Sequence, residues 1–131
     1  MKLFLKEEKK MQITCGTDII EIGRIKENIE DLGEKFLNRI YTQKEIEYCE
    51  SKNGQKYQHY AARFAAKEAI FKAISKELKD KYEIGWKDME ILNDEQGRPQ
   101  VKIKGVQREN IDISISHCRD YAVAMVVMFH G

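Results

Sequence analysis

Glu68 is a carboxylate in a place that ordinary packing disfavours. Phe64, Glu68 and Phe71 stand at spacings of four and three, so a helix through them sets an acid on its apolar stripe. An unpaired carboxylate there is costly and must be neutralised by protonation, a basic partner or a metal ion. Asp18 poses a milder version of the same problem, because it ends an apolar alternating segment and is followed by Ile19 and Ile20. Each also has a plain role open to it. Glu68 could pair with Lys72, four residues on, or sit exposed at the edge of the stripe, and Asp18 could cap a following helix. Together they could form an open oxygen-ligand site of the kind Mg²⁺ prefers, completed by waters and substrate phosphates, which suits phosphoryl-type transfer.

Arg63, Lys67 and Lys72 add cations to the same helix, with Arg63 and Lys67 on a shared face. A solvated helix face accounts for any one of them. Lys72 is the preferred group to stabilise charge developing on a diphosphate leaving group. His117 closes the run Ser114-Ile115-Ser116-His117, where hydroxyls and an imidazole could meet an anion, the alternative being a surface histidine. Cys118 adjoins His117, but neighbouring side chains of a strand point to opposite faces, which disfavours a thiol nucleophile there. The chain contains no HExxH, GxSxG or GxxxxGK[ST] motif, which argues against zinc proteases, esterases and P-loop nucleotide hydrolases.

The elements that must position these groups follow from periodicity. Ile13, Cys15 and Ile19 alternate with Thr14, Gly16 and Asp18 from Met11 to Ile20, as in a strand. Ile22, Ile25, Ile29 and Leu32 recur at helical spacing and stop at Gly33, predicting a helix from about Glu21 to Leu32. Phe36–Ile40 is a further apolar-containing segment, and Thr42 with Glu45 is a capping box opening a helix through Tyr48 and Cys49. A long helix is expected from about Tyr57 to Lys79, free of Gly and Pro. Met89–Leu92 and Gln100–Lys104 read as a hairpin around the polar turn Asn93–Pro99. Ile111–Ile115 and Tyr121–Phe129 read as a second antiparallel pair, the latter as a buried strand. The expected architecture is α+β, with helices packed on an antiparallel sheet.

Composition narrows the class. With 131 residues, 42% hydrophobic and 34% charged, and a single proline, the chain suits one soluble folded domain, residues 11–131. Residues 1–10, mostly charged and preceding a second methionine, read as an extension or alternative start. A net charge of +1 offers no broad basic surface for nucleic acid. No apolar run approaches the roughly 20 residues a membrane span requires. Three cysteines without metal-ligand spacing point to a reducing, cytoplasmic setting.

Three ordered segments, Gly16-Thr17-Asp18-Ile19-Ile20-Glu21-Ile22, Arg63-Phe64-Ala65-Ala66-Lys67-Glu68-Ala69 and Ser114-Ile115-Ser116-His117, resemble the small, acyl-carrier-protein-synthase type of phosphopantetheinyl transferase. Phe36–Thr42 with Glu45, and the loop Asn93–Pro99, support the resemblance, which spans nearly all of Met11 to Val127. It implies transfer of the 4′-phosphopantetheine arm of coenzyme A to a serine of apo acyl carrier protein in fatty acid biosynthesis, releasing adenosine 3′,5′-bisphosphate. Asp18 and Glu68 would hold Mg²⁺, with Mn²⁺ as a substitute, and Glu68 or a metal-bound water would take the serine proton. Lys72, Ser116, His117 and Arg63 would contact the phosphates of coenzyme A, and Gly97, Arg98 and Pro99 would lie by its adenosine. The resemblance further implies a homotrimer with active sites between subunits, and a carrier protein received by basic residues of the first helix, here Arg24. Asp31 and Glu34 stand where the family often has more arginine, with Lys26, Lys35 and Arg39 available to compensate. The competing expectation is a non-catalytic module that binds coenzyme A or a carrier protein.

Overall fold

A computed structural model describes residues 11–130; the expected extension at residues 1–10 lies outside them. The element order is β1 (Gln12–Glu21), α1 (Ile22–Leu32), α2 (Glu34–Ile40), α3 (Gln43–Glu50), α4 (Lys56–Ile74), β2 (Met89–Asn93), β3 (Pro99–Ile103), β4 (Val106–Gln107), β5 (Ile111–His117) and β6 (Tyr121–His130), with short 3₁₀ turns between some of them. The strands form two antiparallel three-stranded sheets, ordered β1-β6-β5 and β2-β3-β4. In the first, the two ends of the described chain meet, β1 pairing with β6 from Gln12↔His130 to Glu21↔Tyr121.

Helix α4 runs between the sheets. Its Ala65, Ala66, Ala69, Ile70, Ala73 and Ile74 pack against Ala124, Val126 and Met128 of one sheet and Met89, Ile91, Val101 and Ile103 of the other. Covered on several sides, it buries residues around most of its circumference and has little amphipathic bias. Small alanines let both sheets approach. At Gly16 of β1 the approach is closest, since a Cβ there would stand 2.0 Å from the Ala69 carbonyl oxygen. A second cluster joins Ile22 and Ile25 of α1, Phe36 and Ile40 of α2, Cys49 of α3 and Tyr60 of α4 beside it.

Helix α3 opens with the expected capping box: Thr42 N donates to Glu45 Oε1 at 2.9 Å, and Glu45 N to Thr42 Oγ1 at 3.3 Å. The expected long helix stops at Ile74 rather than Lys79. Thr14 Oγ1 donates to the Ala73 carbonyl at 2.6 Å and Ser75 Oγ to that of Lys72 at 2.9 Å, so side-chain hydroxyls take acceptors that a further turn would use. The last strand also departs from expectation. Only alternate residues of β6 are buried; Tyr121, Val123, Met125 and Phe129 face outward with Ile13 and Ile19 of β1, making an exposed apolar sheet face. Among the described residues, no helix is long and apolar enough to cross a membrane.

Candidate active site

The contact between Gly16 and Ala69 sets the carboxylates. Asp18 lies two residues along β1 from Gly16, hence on the same inward face, while Glu68 directly precedes Ala69. Both line one cavity of about 380 Å³, with Ile19, Ile20, Arg24, Ile25, Asn28 and Phe64. Burial, and then the negative charge of Asp18, raise the Glu68 carboxyl above its ordinary range, with Lys72 opposing.

Two plain roles open to these acids are not taken. Lys72 Nζ donates to the Thr17 carbonyl at 2.7 Å and stands 3.6 Å from Asp18 Oδ1; among the described residues Glu68 has no ion pair with it. Asp18 is an interior strand residue, and the N-cap of α1 is Glu21, with no side-chain capping bond. Two carboxylates in an open cavity beside one half-exposed lysine fit a hard divalent cation that retains waters and takes substrate phosphates. Among the described residues no group of three or more His, Cys, Asp or Glu side chains gathers, so a closed all-protein cage is not what these acids build.

Two other cations of α4, Arg63 and Lys67, are not solvated, which corrects the reading of them as members of an exposed face. Lys67 is fully buried and donates to Glu45 Oε1 at 2.6 Å, to the Ile40 carbonyl at 2.7 Å and to the Trp86 carbonyl at 3.1 Å. Glu45 Oε2 accepts from Ile91 N at 2.8 Å, so the acid of the capping box also ties α3 to α4 and β2. Burial lowers the Lys67 ammonium while Glu45 opposes that shift. Arg63, only 2% exposed, donates from Nε to the Ile91 carbonyl at 3.0 Å and lies 4.3 Å over the Tyr48 ring. Its Nη2 is buried and has no hydrogen-bond partner among the described residues.

Arg63 lines a second cavity, of about 280 Å³, together with His59, Asn93, Gly97, Pro99, Ser114 and His117 among others. The hairpin turn beneath is held by Asp94, whose Oδ1 accepts from the amides of Gln96 and Arg98, while Gly97 takes φ +82°, a left-handed conformation favourable to glycine. Of the residues expected at this cavity, Arg63, Gly97, Pro99 and His117 line it; Arg98 and Ser116 do not. Ser116 is paired with Val123 and shares the outward face of its sheet. Sequence reasoning missed His59, one helical turn before Arg63, and Asn28, one turn after Arg24. The i, i+4 spacing to residues already singled out was the signal available for both.

Within one chain the two cavities do not merge. Asp18 of β1 and Ile115 of β5 both register with Ala124, so β6 lies between them, at about two strand spacings or 10 Å. On α4, Glu68 stands five positions after Arg63, which turns the two side chains about 140° apart.

Comparison with protein-family sequence profiles matches residues 14–126 to the 4′-phosphopantetheinyl transferase superfamily. A holo-(acyl-carrier-protein) synthase of Ruminiclostridium cellulolyticum is 46% identical over 129 residues, covering 92% of this chain and 95% of that protein. Among solved structures, the fold is similar to that of a Bacillus anthracis holo-(acyl-carrier-protein) synthase in complex with CoA (3′,5′-ADP), with TM-score 0.71 and 33% identity over 93% of this chain and 100% of the other. It is likewise similar to a Helicobacter pylori holo-(acyl-carrier-protein) synthase in complex with coenzyme A, with TM-score 0.70 and 30% identity over 87% of this chain and 98% of the other. The α+β architecture, the Asp18–Glu68 cavity and these similarities converge: the chain belongs to the 4′-phosphopantetheinyl transferase superfamily, with holo-(acyl-carrier-protein) synthases as its relatives.

Proposed function

We propose that this chain is a holo-(acyl-carrier-protein) synthase that moves the 4′-phosphopantetheine of coenzyme A onto a carrier-protein serine. The observation that carries the reading is the pairing of Asp18 and Glu68 in one cavity with Lys72 at its edge. The serine oxygen bonds to the phosphorus bearing pantetheine, the bridging P–O bond breaks, and adenosine 3′,5′-bisphosphate leaves. Asp18 and Glu68 would hold Mg²⁺, or Mn²⁺ in its place, which supplies Lewis-acid polarisation of the diphosphate. Lys72, with its side chain 54% exposed, would turn from Asp18 and the Thr17 carbonyl toward a leaving phosphate. Glu68, whose carboxyl is raised by burial and by Asp18 while no metal is bound, or a metal-bound water would take the serine proton. Arg24 stands at the same cavity, where a cation would draw an acidic carrier protein toward the reacting atoms.

The adenosine end of coenzyme A belongs, on this reading, in the Arg63–His117 cavity, lined by Arg63, whose buried Nη2 has no acceptor among the described residues. Gly97 and Pro99 line that space, and Arg98 and Ser116 act from its rim. The apolar outward face of β1 and β6 supports a homotrimer: subunits packed on those faces would set the carboxylates of one beside the nucleotide cavity of the next.

Intact-mass measurement of apo acyl carrier protein tests the function, after incubation with this protein, coenzyme A and Mg²⁺ with and without a chelator. A phosphopantetheine-sized gain only without chelator is expected. No gain with several carrier proteins, from a folded oligomer, would leave a non-catalytic binding module as the better account.

A further inference from the structure

His59 lies one helical turn before Arg63 and turns its ring into the same cavity. Across that cavity stands His117 of β5, with ring centroids 6.4 Å apart, and on the other side Tyr48 of α3 meets the His59 ring edge-on at 5.5 Å. The charges acting on His59 come from Arg63 on its own helix, Lys52 in the turn after α3, and His117, all of them basic groups. Burial first, and these cations second, lower its imidazole to about 4, so it is neutral at neutral pH. Beside it, Arg63 lines the same cavity, and its buried Nη2 has no acceptor among the described residues. Basic groups have thus been gathered around a cavity whose own walls supply them with no counter-charge among the groups acting on His59.

We propose that His59 is a specificity-determining residue that takes up a proton as a phosphomonoester enters this cavity, so that the chain reads the 3′-phosphate of coenzyme A by proton-linked binding. The inference rests on the functional reading above and adds a residue and a linkage to it. A phosphomonoester has its second pKa near 6 and is largely dianionic at pH 7. Placed among His59, His117 and Arg63, a dianion reverses the local field: what had been repulsion between basic groups becomes attraction to a shared anion, and the imidazolium becomes the favoured form. Because the complex then holds one more proton than the free protein, affinity falls as pH rises through the imidazole's value in the complex. A ligand bearing a 3′-hydroxyl in place of the phosphate lacks the charge that would drive the uptake.

Calorimetric titration of the full-length protein at pH 7, in buffers of different ionisation enthalpy, counts the protons. Coenzyme A should bind with uptake of close to one proton and dephospho-coenzyme A with none. His59→Gln should remove the uptake and weaken coenzyme A by at least about tenfold, the scale of one charge-assisted hydrogen bond, and weaken dephospho-coenzyme A by much less. A wild-type urea midpoint reports the variant's fold. In the wild-type protein, the His59 imidazole NMR signal should titrate near 4 when free and above neutrality with adenosine 3′,5′-bisphosphate bound. Coenzyme A binding whose proton uptake survives His59→Gln, or equals that of dephospho-coenzyme A, overturns the inference alone. Failure of the wild-type oligomer to bind coenzyme A overturns the inference and the functional reading together.

Discussion

Gly16 of β1 faces the Ala69 carbonyl of α4 so closely that a Cβ on the glycine would stand 2.0 Å from that oxygen and 3.0 Å from the Lys72 Cβ. The oxygen is main chain and cannot swing aside. This contact fixes how near β1 runs to α4, and with it the placing of Asp18 against Glu68 and of Lys72 against Thr17.

Gly16→Ala must therefore push strand and helix apart. Overpacking of this kind costs about 1–3 kcal/mol or more, read as a lower urea midpoint. Transfer activity should fall further than the loss of folded protein explains, because the carboxylates separate as the strand moves. Wild-type stability and activity together would show that the contact relaxes locally and does not position the site.

Glu68→Gln should keep the fold and oligomer while lowering the transfer rate by about two orders of magnitude or more, the usual range for general-base loss. For the wild-type enzyme the sign of the pH effect follows from the raised Glu68 carboxyl. The ionised form is the active one, so at limiting Mg²⁺ activity is lost as pH falls through a value above that of a free glutamate. Protons and Mg²⁺ compete for the same oxygens. Raising Mg²⁺ should accordingly move the acid limb of the rate profile to lower pH, and an acid limb insensitive to Mg²⁺ would separate Glu68 from the metal.

The buried Lys67–Glu45 pair should behave as a structural tie. Lys67→Met leaves Glu45 buried without its cation, a change that typically costs about 3–5 kcal/mol. Adding Glu45→Gln to that variant should recover part of the loss, since the amide can still accept from Ile91 N and no charge remains. Strict additivity of the two substitutions in denaturant melts would mean the pair is not coupled.

Subunit mixing tests where the active site lies. Met125→Lys, on the exposed apolar face, should convert the proposed trimer to an inactive monomer in sedimentation experiments. Refolding an inactive Glu68→Gln chain with an inactive Arg63→Met chain should restore activity at about a quarter of the sites of a cyclic assembly, because each site would borrow its intact halves from neighbours. No recovery in mixed oligomers would place the whole site within one chain.

Much of this molecule was legible without coordinates because the relevant forces are local. Alternation along residues 111–116, the Thr42–Glu45 capping box and the loop around Gly97 each depend on neighbours a few positions away. The carboxylates at 18 and 68 stood out because acids are rare at such positions along a strand and a helix. The tertiary structure decided what periodicity has no means to express. Helix α4 is covered by two sheets and a helical cluster, so its pattern could not tell that Lys67 is consumed by Glu45, that Arg63 is left with an idle nitrogen, or that His59 joins it. Burial depends on which distant elements arrive at each face of a helix, and here the strands β1 and β6, whose partners lie 100 to 118 positions apart, had to pair before the inward and outward faces of the sheet were defined. The sequence by itself therefore determined which elements carry the acids and cations. Only long-range packing decided which of those charges are paired, which stand free, and why one chain holds its two cavities apart.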